Sequence, residues 1–256
     1  MSLLHALILG VIEGITEFLP VSSTAHLILA SHALGLPGSE FVKSFEIIIQ
    51  LGAILSVVAL YWRKFLSFEV IKKLFVAFLP TGILGVTLYS RVKDVLLESV
   101  TVVLAALVVG GVALIFFERS RDPGQAEIDF SEISYGRAAL VGLFQSIAMI
   151  PGVSRSAATI IGGSLLGISR RTIVEFSFML AVPTMLAASL LDLMQSHEAL
   201  AGNFTALGVG FVVSFVTAIA AIKSFLAFIK KRSFAAFGVY RIVLAIAYFL
   251  VFGRGA

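Results

Sequence analysis

The sequence contains no cysteine and few charged residues. Without thiols the chain can form neither disulfide bonds nor zinc–thiolate sites, and it has no cysteine nucleophile. Charged residues make up 13% of the chain, whereas soluble domains average roughly a quarter. Hydrophobic residues make up 59% of the 256 residues. The shortage of charge and the surplus of apolar side chains together indicate a protein that lies in the bilayer.

The small positive charge of the chain has an ordinary explanation in a membrane protein. The formal net charge is +4, which in a soluble protein could indicate a nucleic-acid partner. Cytoplasmic loops of membrane proteins carry an excess of Lys and Arg, so we expect no nucleic acid to bind. Residues 1–9 have no basic segment and no small-residue cleavage pattern, and we therefore expect no removable signal peptide.

Six apolar segments are long enough to cross a bilayer as helices, which takes about 20 residues. They are residues 44–62, 71–90, 95–117, 172–193, 204–229 and 235–252.

Two further apolar stretches, 3–35 and 137–168, are interrupted near their centres. The interruptions are Pro-Val-Ser-Ser-Thr at 20–24 and Pro-Gly-Val-Ser-Arg-Ser at 151–156. Each flank is too short to span, and irregular backbone at membrane depth survives only inside protein or beside a wet cavity. We therefore expect two re-entrant helix–loop–helix hairpins, with two kinked full spans as the alternative.

The two interrupted stretches resemble each other. A shift of 132 residues places 6–35 on 138–167 with nine identical residues among 30 positions. Each stretch precedes three spans, and an odd number of spans inserts the two halves with opposite orientation. The predicted fold is an all-α polytopic membrane protein with an inverted-topology repeat. Such repeats build a shared site near the midplane from interrupted helices.

The predicted organisation is a first repeat at 1–117, a cytoplasmic linker at 118–136 and a second repeat at 137–256. The basic residues then divide unequally between the two faces. Twelve lie on one face: Arg63, Lys64, Lys72, Lys73, Arg119, Arg121, Arg137, Arg170, Arg171, Lys230, Lys231 and Arg232. Four lie on the other: Lys43, Arg91, Lys93 and Arg254. The positive-inside rule makes the first face cytoplasmic and puts both termini outside.

Glu13 and Glu17 are the most informative polar residues. They stand four apart in an apolar helix and therefore share one face. A charged group at the bilayer centre costs at least about 2.5 kcal/mol on insertion scales. We expect a cation, a substrate or a proton to use the pair, and a divalent cation held by carboxylates would be Mg²⁺ or Ca²⁺. The alternative is a pair near the interface that merely faces water.

A hydroxyl cluster follows the first interruption. Ser22, Ser23 and Thr24 open the next half-helix, where one of them caps backbone N–H groups and where phosphate is favoured. His26 lies three residues beyond Ser23 on the same face. A hydroxyl, an imidazole and nearby carboxylates suit a nucleophile with its base. A purely structural role for His26 is the alternative.

The second interruption carries an anion binder. Arg155 stands at a predicted helix start with Ser154, Ser156 and Thr159 around it, which indicates a phosphate clamp.

Four more polar residues lie inside the predicted spans. Glu46 and Gln50 are candidates for the same cavity, Arg241 has no evident partner, and Lys223 is expected to extend toward the interface.

These residues carry a resemblance to a known family. The run from Glu13 to His26, EGITEFLPVSSTAH, and the run PGVSRSAAT at 151–159 resemble the two signatures of the bacterial undecaprenyl pyrophosphate phosphatases, the bacitracin-resistance proteins. FEIIIQLG at 45–52, EFSF at 175–178 and AVP at 181–183 are also similar. The resemblance covers essentially the whole chain.

The resemblance implies an enzyme of the bacterial plasma membrane that hydrolyses undecaprenyl pyrophosphate to the monophosphate at the outer face. This reaction recycles the lipid carrier for peptidoglycan synthesis and is associated with bacitracin resistance. The residues that match the signatures and would carry function are Glu13, Glu17, Ser23, His26, Ser154, Arg155 and Thr159.

Two other functions remain open at this point. Inverted repeats also build transporters, so a flippase for a phosphate-headed prenyl lipid is the main alternative. A non-catalytic lipid-binding subunit is a weaker one. The nucleophile could be Ser23, His26 or a water molecule activated by His26, and a homodimer is left open.

Overall fold

The computed structural model describes residues 1–36, 39–96, 100–120, 128–195 and 203–253, without the side chains of residues 40, 88–96 and 192–195. Within these ranges the chain forms ten α-helices and two short 3₁₀ turns, and no strand. The helices are α1 Leu3–Thr16, α2 Ser23–Ala33, α3 Glu40–Phe65, α4 Phe68–Leu96, α5 Val100–Ser120, α6 Tyr135–Ser146, α7 Arg155–Leu165, α8 Arg170–Gln195, α9 Phe204–Ile229 and α10 Ala235–Phe252.

Six of these helices, α3, α4, α5, α8, α9 and α10, are long and apolar enough to cross a membrane. The prediction of six spans is confirmed, and the last two have the predicted bounds, 204–229 and 235–252. The third predicted span, 95–117, begins too early. Val95 and Leu96 end α4, and α5 starts at Val100. Residues 97–99, Leu-Glu-Ser, include neither Gly nor Pro, so the sequence has no helix-breaking residue to mark where one helix ends and the next begins.

The four remaining helices are short and come in two pairs. α1 and α2 have 14 and 11 residues, and α6 and α7 have 12 and 11. At 1.5 Å per residue none exceeds about 21 Å, which is less than the hydrocarbon thickness of a bilayer. The first pair is separated by residues 17–22 and the second by 147–154, where the interruptions were predicted.

The short helices pack on long helices from the other half of the chain. α1 lies along α9, and α6 lies along α4. Glycine permits this close approach. A Cβ added to Gly14 would lie 1.9 Å from Oγ1 of Thr217, and one added to Gly142 would lie 1.8 Å from the carbonyl oxygen of Ala77. The halves are therefore interlocked, and α3 also packs on α8 and α5 on α10.

Aromatic side chains pack in the centre of the helix bundle, and apolar side chains also cover its outer surface. Phe18, from the first interruption, packs edge-on against Phe178 of α8 with ring centroids 5.4 Å apart. Both rings are fully buried. On the outer surface Val86, Phe116 and Val251 are each 71% exposed. Large apolar side chains on the outside are what a bilayer requires of its lipid-facing surface.

Replacement of Gly142 by Ala tests the interlocking. We expect the new methyl group to force α6 away from α4 and to destabilise the protein by about 1–3 kcal/mol. Gly85→Ala in α4 is the matched control, because a Cβ there meets nothing within 4 Å. Its apparent thermal midpoint in detergent should stay the same or rise, since Ala favours a helix. Equal midpoints for both variants would contradict the tight α4–α6 contact.

Candidate active site

The first interruption ends in a strained serine. Ser22 has φ = 70°, a left-handed conformation that is uncommon outside glycine. Its hydroxyl accepts a hydrogen bond from the backbone N–H of Ala25 at 3.4 Å and so caps α2. The predicted capping role therefore belongs to Ser22. Because the cap is Ser22, Ser23 becomes the first residue of α2.

The second interruption reaches α7 through a glycine. Gly152 has φ = 92°, and a Cβ there would lie 2.7 Å from the carbonyl oxygen of Val103. Ser154 then caps α7 by accepting a hydrogen bond from the N–H of Ala157 at 3.1 Å. Ser22 and Ser154 are 132 residues apart, so the two caps occupy corresponding positions. Arg155 is consequently the first residue of α7, as the sequence predicted.

Glu17 joins the two interruptions. Its Oε2 accepts a hydrogen bond of 2.5 Å from the hydroxyl of Ser23. Its Oε1 pairs with Nη2 of Arg155 at 3.0 Å. Nη1 of Arg155 also donates to the carbonyl oxygen of Ser177 in α8 at 2.6 Å. A carboxylate, a hydroxyl and a guanidinium from two distant parts of the chain are thus in direct contact, and all three side chains are largely buried.

A cavity of about 150 Å³ lies at this contact. At roughly 30 Å³ for each water molecule it has room for about five, which suits a phosphate group but not a prenyl chain. Its polar lining is Glu17, Ser22, Ser23, Thr24, Gln50, Ser154 and Arg155, and its apolar lining is Ala148, Val153 and Met185.

Glu13 lies one helical turn before Glu17 and is fully buried. Neither of its carboxylate oxygens has a hydrogen-bond partner among the described residues. Glu17 is 5% exposed, so the alternative of a pair that faces water does not hold. Buried carboxylate oxygens without a partner are suited to a hard divalent cation.

No group of three or more His, Cys, Asp or Glu side chains in the described ranges could hold a metal by itself. A divalent cation at Glu13 would therefore need further oxygen ligands, from water or from a bound phosphate.

His26 contacts other groups than the sequence suggested. Its Nδ1 is 2.7 Å from the carbonyl oxygen of Ser22, and its Nε2 is 2.8 Å from the hydroxyl of Tyr240. A carbonyl oxygen only accepts, so Nδ1 carries the hydrogen and, in the neutral ring, Nε2 accepts from Tyr240. The two rings are stacked, with an interplanar angle of 3°. The hydroxyl of Ser23 therefore contacts Glu17 and not the imidazole.

Two predicted phosphate ligands lie outside the cavity lining. Ser156 is fully buried and donates to the carbonyl oxygen of Phe18 at 3.0 Å. Thr159 is also fully buried, with its hydroxyl 2.6 Å from that of Ser177. Both lie one turn or less inside α7, where their hydroxyls point into neighbouring elements. They fasten the second interruption to the first interruption and to α8 and do not reach the cavity.

Of the other polar candidates, some line the cavity and some do not. Thr24 lines the cavity and is exposed. Gln50 lines the cavity from α3, as predicted. Glu46 lies one turn earlier and instead accepts a hydrogen bond from Ser31 at 3.1 Å.

Arg241 holds the two interruptions together. Its side chain is fully buried and donates to the carbonyl oxygens of Pro20 at 3.4 Å and Gly152 at 2.9 Å. It also donates to the carbonyl oxygens of Ala106 and Leu107 in α5. Sequence reasoning found no partner for this arginine because its partners are backbone atoms, which have no sequence signature.

Sequence reasoning missed Ser177 and Tyr240. Ser177 lies in the EFSF run at 175–178, so a polar residue inside an apolar span was a usable signal. Tyr240 offered none, because tyrosine near the end of an apolar helix is common in membrane proteins.

The fold and the site together define a class of protein: a multi-pass α-helical membrane protein with a buried, polar, phosphate-sized cavity built from interrupted helices. The chain belongs to the bacitracin resistance protein BacA family, which matches residues 6–247.

Curated relatives agree over almost the entire length. The chain is 50% identical to the undecaprenyl-diphosphatase of Sulfurihydrogenibium sp., over 98% of this chain and 99% of the relative. It is 47% identical to the undecaprenyl-diphosphatase of Aquifex aeolicus, over 95% of this chain and 96% of the relative. A protein of the same name from Wolinella succinogenes is 49% identical, with 97% of each chain covered.

Replacement of Arg241 by Leu tests the link between the interruptions. The carbonyl oxygens of Pro20 and Gly152 would each lose a charged donor, and we expect a loss of about 3 kcal/mol in stability. Lys223→Leu is the control, because Lys223 is also a cation within an apolar helix but is exposed. The apparent thermal midpoint should fall only for Arg241→Leu. A midpoint equal to that of the control would mean that Arg241 does not hold the turns.

Proposed function

We propose that this protein is a membrane phosphatase that hydrolyses undecaprenyl pyrophosphate to undecaprenyl phosphate and inorganic phosphate. The observation that carries the proposal is the contact between Ser23, Glu17 and Arg155, which joins a nucleophile, a base and an anion binder at a phosphate-sized cavity. Relatives of 47–50% identity that carry this activity as their name support it. The product returns the lipid carrier to cell-wall synthesis, which accounts for bacitracin resistance.

The terminal phosphate of the substrate is bound by Arg155 and by the N-terminal turns of α2 and α7. The first residues of both helices, Ser23 and Arg155, line the cavity, and helix N-termini favour anions. Arg155 already contacts Glu17, so an incoming phosphate competes for the guanidinium and draws part of it away from the carboxylate. The donors are in place before the reaction, which makes them effective at stabilising charge that develops on the phosphate.

Glu17 activates Ser23. The Ser23 hydroxyl transfers its proton to Glu17 while its oxygen forms a bond to the terminal phosphorus. The bridging P–O bond breaks as this bond forms, and undecaprenyl phosphate leaves. Water then cleaves the serine–phosphate ester, with Glu17 as the proton carrier. Direct attack by water, activated by His26, is the alternative route, and it would require Nε2 to release the hydroxyl of Tyr240.

Glu13, with Glu17, would hold a divalent cation, Mg²⁺ or Ca²⁺. The cation supplies positive charge to the phosphate oxygens when it is bound. Neither oxygen of Glu13 has a partner among the described residues, so Glu13 would be the main ligand. Each oxygen of Glu17 already has one contact, with Ser23 or Arg155, so Glu17 would share the cation through a remaining lone pair.

The two interrupted stretches form re-entrant hairpins of an inverted repeat. The helix pairings support this, because α1 on α9 becomes α6 on α4 when the halves are exchanged. Two hydrogen bonds within these helix pairs also correspond between the halves. Thr217 donates to the carbonyl oxygen of Gly10 at 3.5 Å, and Thr81 donates to that of Gly142 at 2.9 Å.

The protein lies in the bacterial plasma membrane with both termini and the cavity mouth at the outer face. The twelve basic residues of the other face support this orientation. The outer face is also where the proposed substrate is to be recycled.

A flippase for a phosphate-headed prenyl lipid is the second candidate. The interlocked halves favour it, because inverted repeats are common in alternating-access transporters. The hydrogen bond of Ser23 to Glu17 favours the enzyme, since a carrier needs to bind a phosphate but has no use for an activated hydroxyl.

Phosphate release from undecaprenyl pyrophosphate by purified protein in detergent tests the proposal. We expect release by the wild type with Mg²⁺ or Ca²⁺ and its loss in EDTA. Glu17→Gln and Arg155→Ala should each lower kcat/KM by at least about a hundredfold, because each removes a group that acts on the reacting phosphate. No release by well-folded wild type with metal present would favour the flippase.

Rapid quenching of the same reaction with a labelled terminal phosphate distinguishes the two routes of attack. A phosphoenzyme that forms in the wild type and is missing in Ser23→Ala would identify Ser23 as the nucleophile. Direct attack by water would leave no label on the wild-type protein or on Ser23→Ala.

Replacement of Tyr240 by Phe tests the role of His26. The ring stacking is retained and the hydrogen bond to Nε2 is lost, so we expect kcat to fall by about tenfold with KM nearly unchanged. Tyr248→Phe is the matched control. Its hydroxyl contacts Nδ1 of His32 at 2.5 Å between the same two helices, α2 and α10. Neither histidine lines the cavity, but His26 bonds to the lining residue Ser22, and the His32 ring bonds to no lining residue that the structure describes. An equal loss in both variants would point to helix packing and not to His26.

A further inference from the structure

A second and larger cavity lies at the face that carries most of the basic residues. Its volume is about 850 Å³, within the range of ligand-binding pockets. The end of α3, the starts of α4 and α8 and the segment before α6 surround it. Four cationic side chains line it: Arg63, Lys64, Lys73 and Arg171.

This basic cavity is separate from the candidate active site. α3 contributes Gln50 to the active-site cavity and Lys64 to the basic cavity. These residues are 14 positions apart, or about 21 Å along a helix. α8 likewise contributes Met185 to one and Glu175 to the other. Two cavities therefore share the same two helices at different depths in the membrane.

Two of the four cations pair with a single carboxylate, which offsets only one of their two charges. Lys64 pairs with one oxygen of Glu175 at 2.5 Å, and Arg171 pairs with the other at 2.9 Å. Lys73 donates to the carbonyl oxygens of Phe130 and Ser131 at 3.3 and 3.0 Å.

Arg63 makes no ion pair within the described ranges. Its guanidinium lies 5.3 Å from the centre of the Trp62 ring. The other two acidic side chains of the cavity lining make no ion pair with Arg63 within the described ranges. Glu69 accepts hydrogen bonds from the hydroxyl of Tyr135 and pairs with no described cation, and Asp129 belongs to the short turn before α6. Arg63 and Lys73 are thus cations without a paired carboxylate.

Helix polarity adds to this positive charge. The N-terminal turns of α4 and α8 contribute Glu69 and Thr172 to the lining. A helix N-terminus carries unpaired N–H groups and a partial positive charge. The first turn of α4 carries the acidic Glu69, which offsets this charge there, so the start of α8 is the terminus that adds to the cations without a paired carboxylate. A helix N-terminus beside such cations favours a compact anion that accepts several hydrogen bonds, which is the chemistry of a phosphate group.

The surroundings of the cavity are those of a membrane surface. Trp62 is 52% exposed, and Leu66 and Phe68, between α3 and α4, are 74% and 70% exposed. Tryptophan is enriched where the bilayer meets water, and apolar side chains of this exposure contact lipid tails. A phosphate carried by a lipid can therefore reach the basic residues with its chains left in the bilayer.

We propose that the basic cavity binds the phosphate group of an anionic membrane lipid. The binding is independent of phosphate hydrolysis, because it uses none of the residues of the candidate active site.

The single tryptophan of the chain gives a direct test, since Trp62 contacts Arg63. Brominated phosphatidylglycerol or brominated phosphatidylcholine is added to the full-length protein in detergent, and quenching of Trp62 fluorescence is followed. We expect phosphatidylglycerol to reach half-quenching at a mole fraction about fivefold lower than phosphatidylcholine. Equal quenching by both lipids would overturn the proposal.

A pair of variants separates the cavity from general attraction to a basic surface. Arg63→Gln should remove most of the preference for phosphatidylglycerol. Lys72→Gln should retain it, because Lys72 is also an exposed cation and lies 4.6 Å over the ring of Phe68 but does not line the cavity. Equal effects would mean that the lipid binds by surface charge alone, which would contradict a defined site. Neither variant touches the active site, so both should keep wild-type hydrolysis.

Inorganic phosphate distinguishes a lipid headgroup from a free anion. It is added at the ionic strength of a matched sodium chloride control. Displacement of phosphatidylglycerol beyond that control would support recognition of the phosphate group itself. Weakening by both salts alike, together with no difference between Arg63→Gln and Lys72→Gln, would refute it.

Discussion

Irregular backbone inside a membrane is the constraint on which this structure depends. Water does not reach the hydrocarbon core, so each polar group freed where a helix stops needs a partner within the protein. Arg241 supplies donors to carbonyl oxygens in both interruptions, and Ser22 and Ser154 cap the helices that follow. The groups that satisfy the broken backbone also fix the positions of the functional side chains.

The active-site contact follows from this arrangement. Because Ser22 and Ser154 are the caps, Ser23 and Arg155 are each the first residue of a helix. Glu17 then lies between the hydroxyl and the guanidinium. One small cavity therefore receives two helix N-termini, an arginine and a buried carboxylate. The interlocking of the halves keeps the two interruptions together, because α1 and α6 each pack on a helix of the other half.

The basic cavity shows a second use of the same helices. α3 and α8 carry the candidate active site near their centres and cationic side chains near one end. Lys64 and Arg171 come from different helices and meet at Glu175. Charge placed at the membrane surface both orients a protein and attracts anionic lipids, so the two effects have a common origin.

The sequence by itself determined the six spans, the two interruptions, and Glu17, Ser23 and Arg155 as candidates, because hydrophobic length and intramembrane charge are local properties. Tertiary structure decided the rest. It brought the hydroxyl of Ser23 to Glu17 and the imidazole of His26 to Tyr240. It also directed the hydroxyls of Ser156 and Thr159 to neighbouring elements. Arg241 found its carbonyl partners in the same way. These outcomes depend on which helices pack together and on backbone atoms that every residue shares. Neither the packing of the helices nor the backbone contacts can be read from residue identity and spacing.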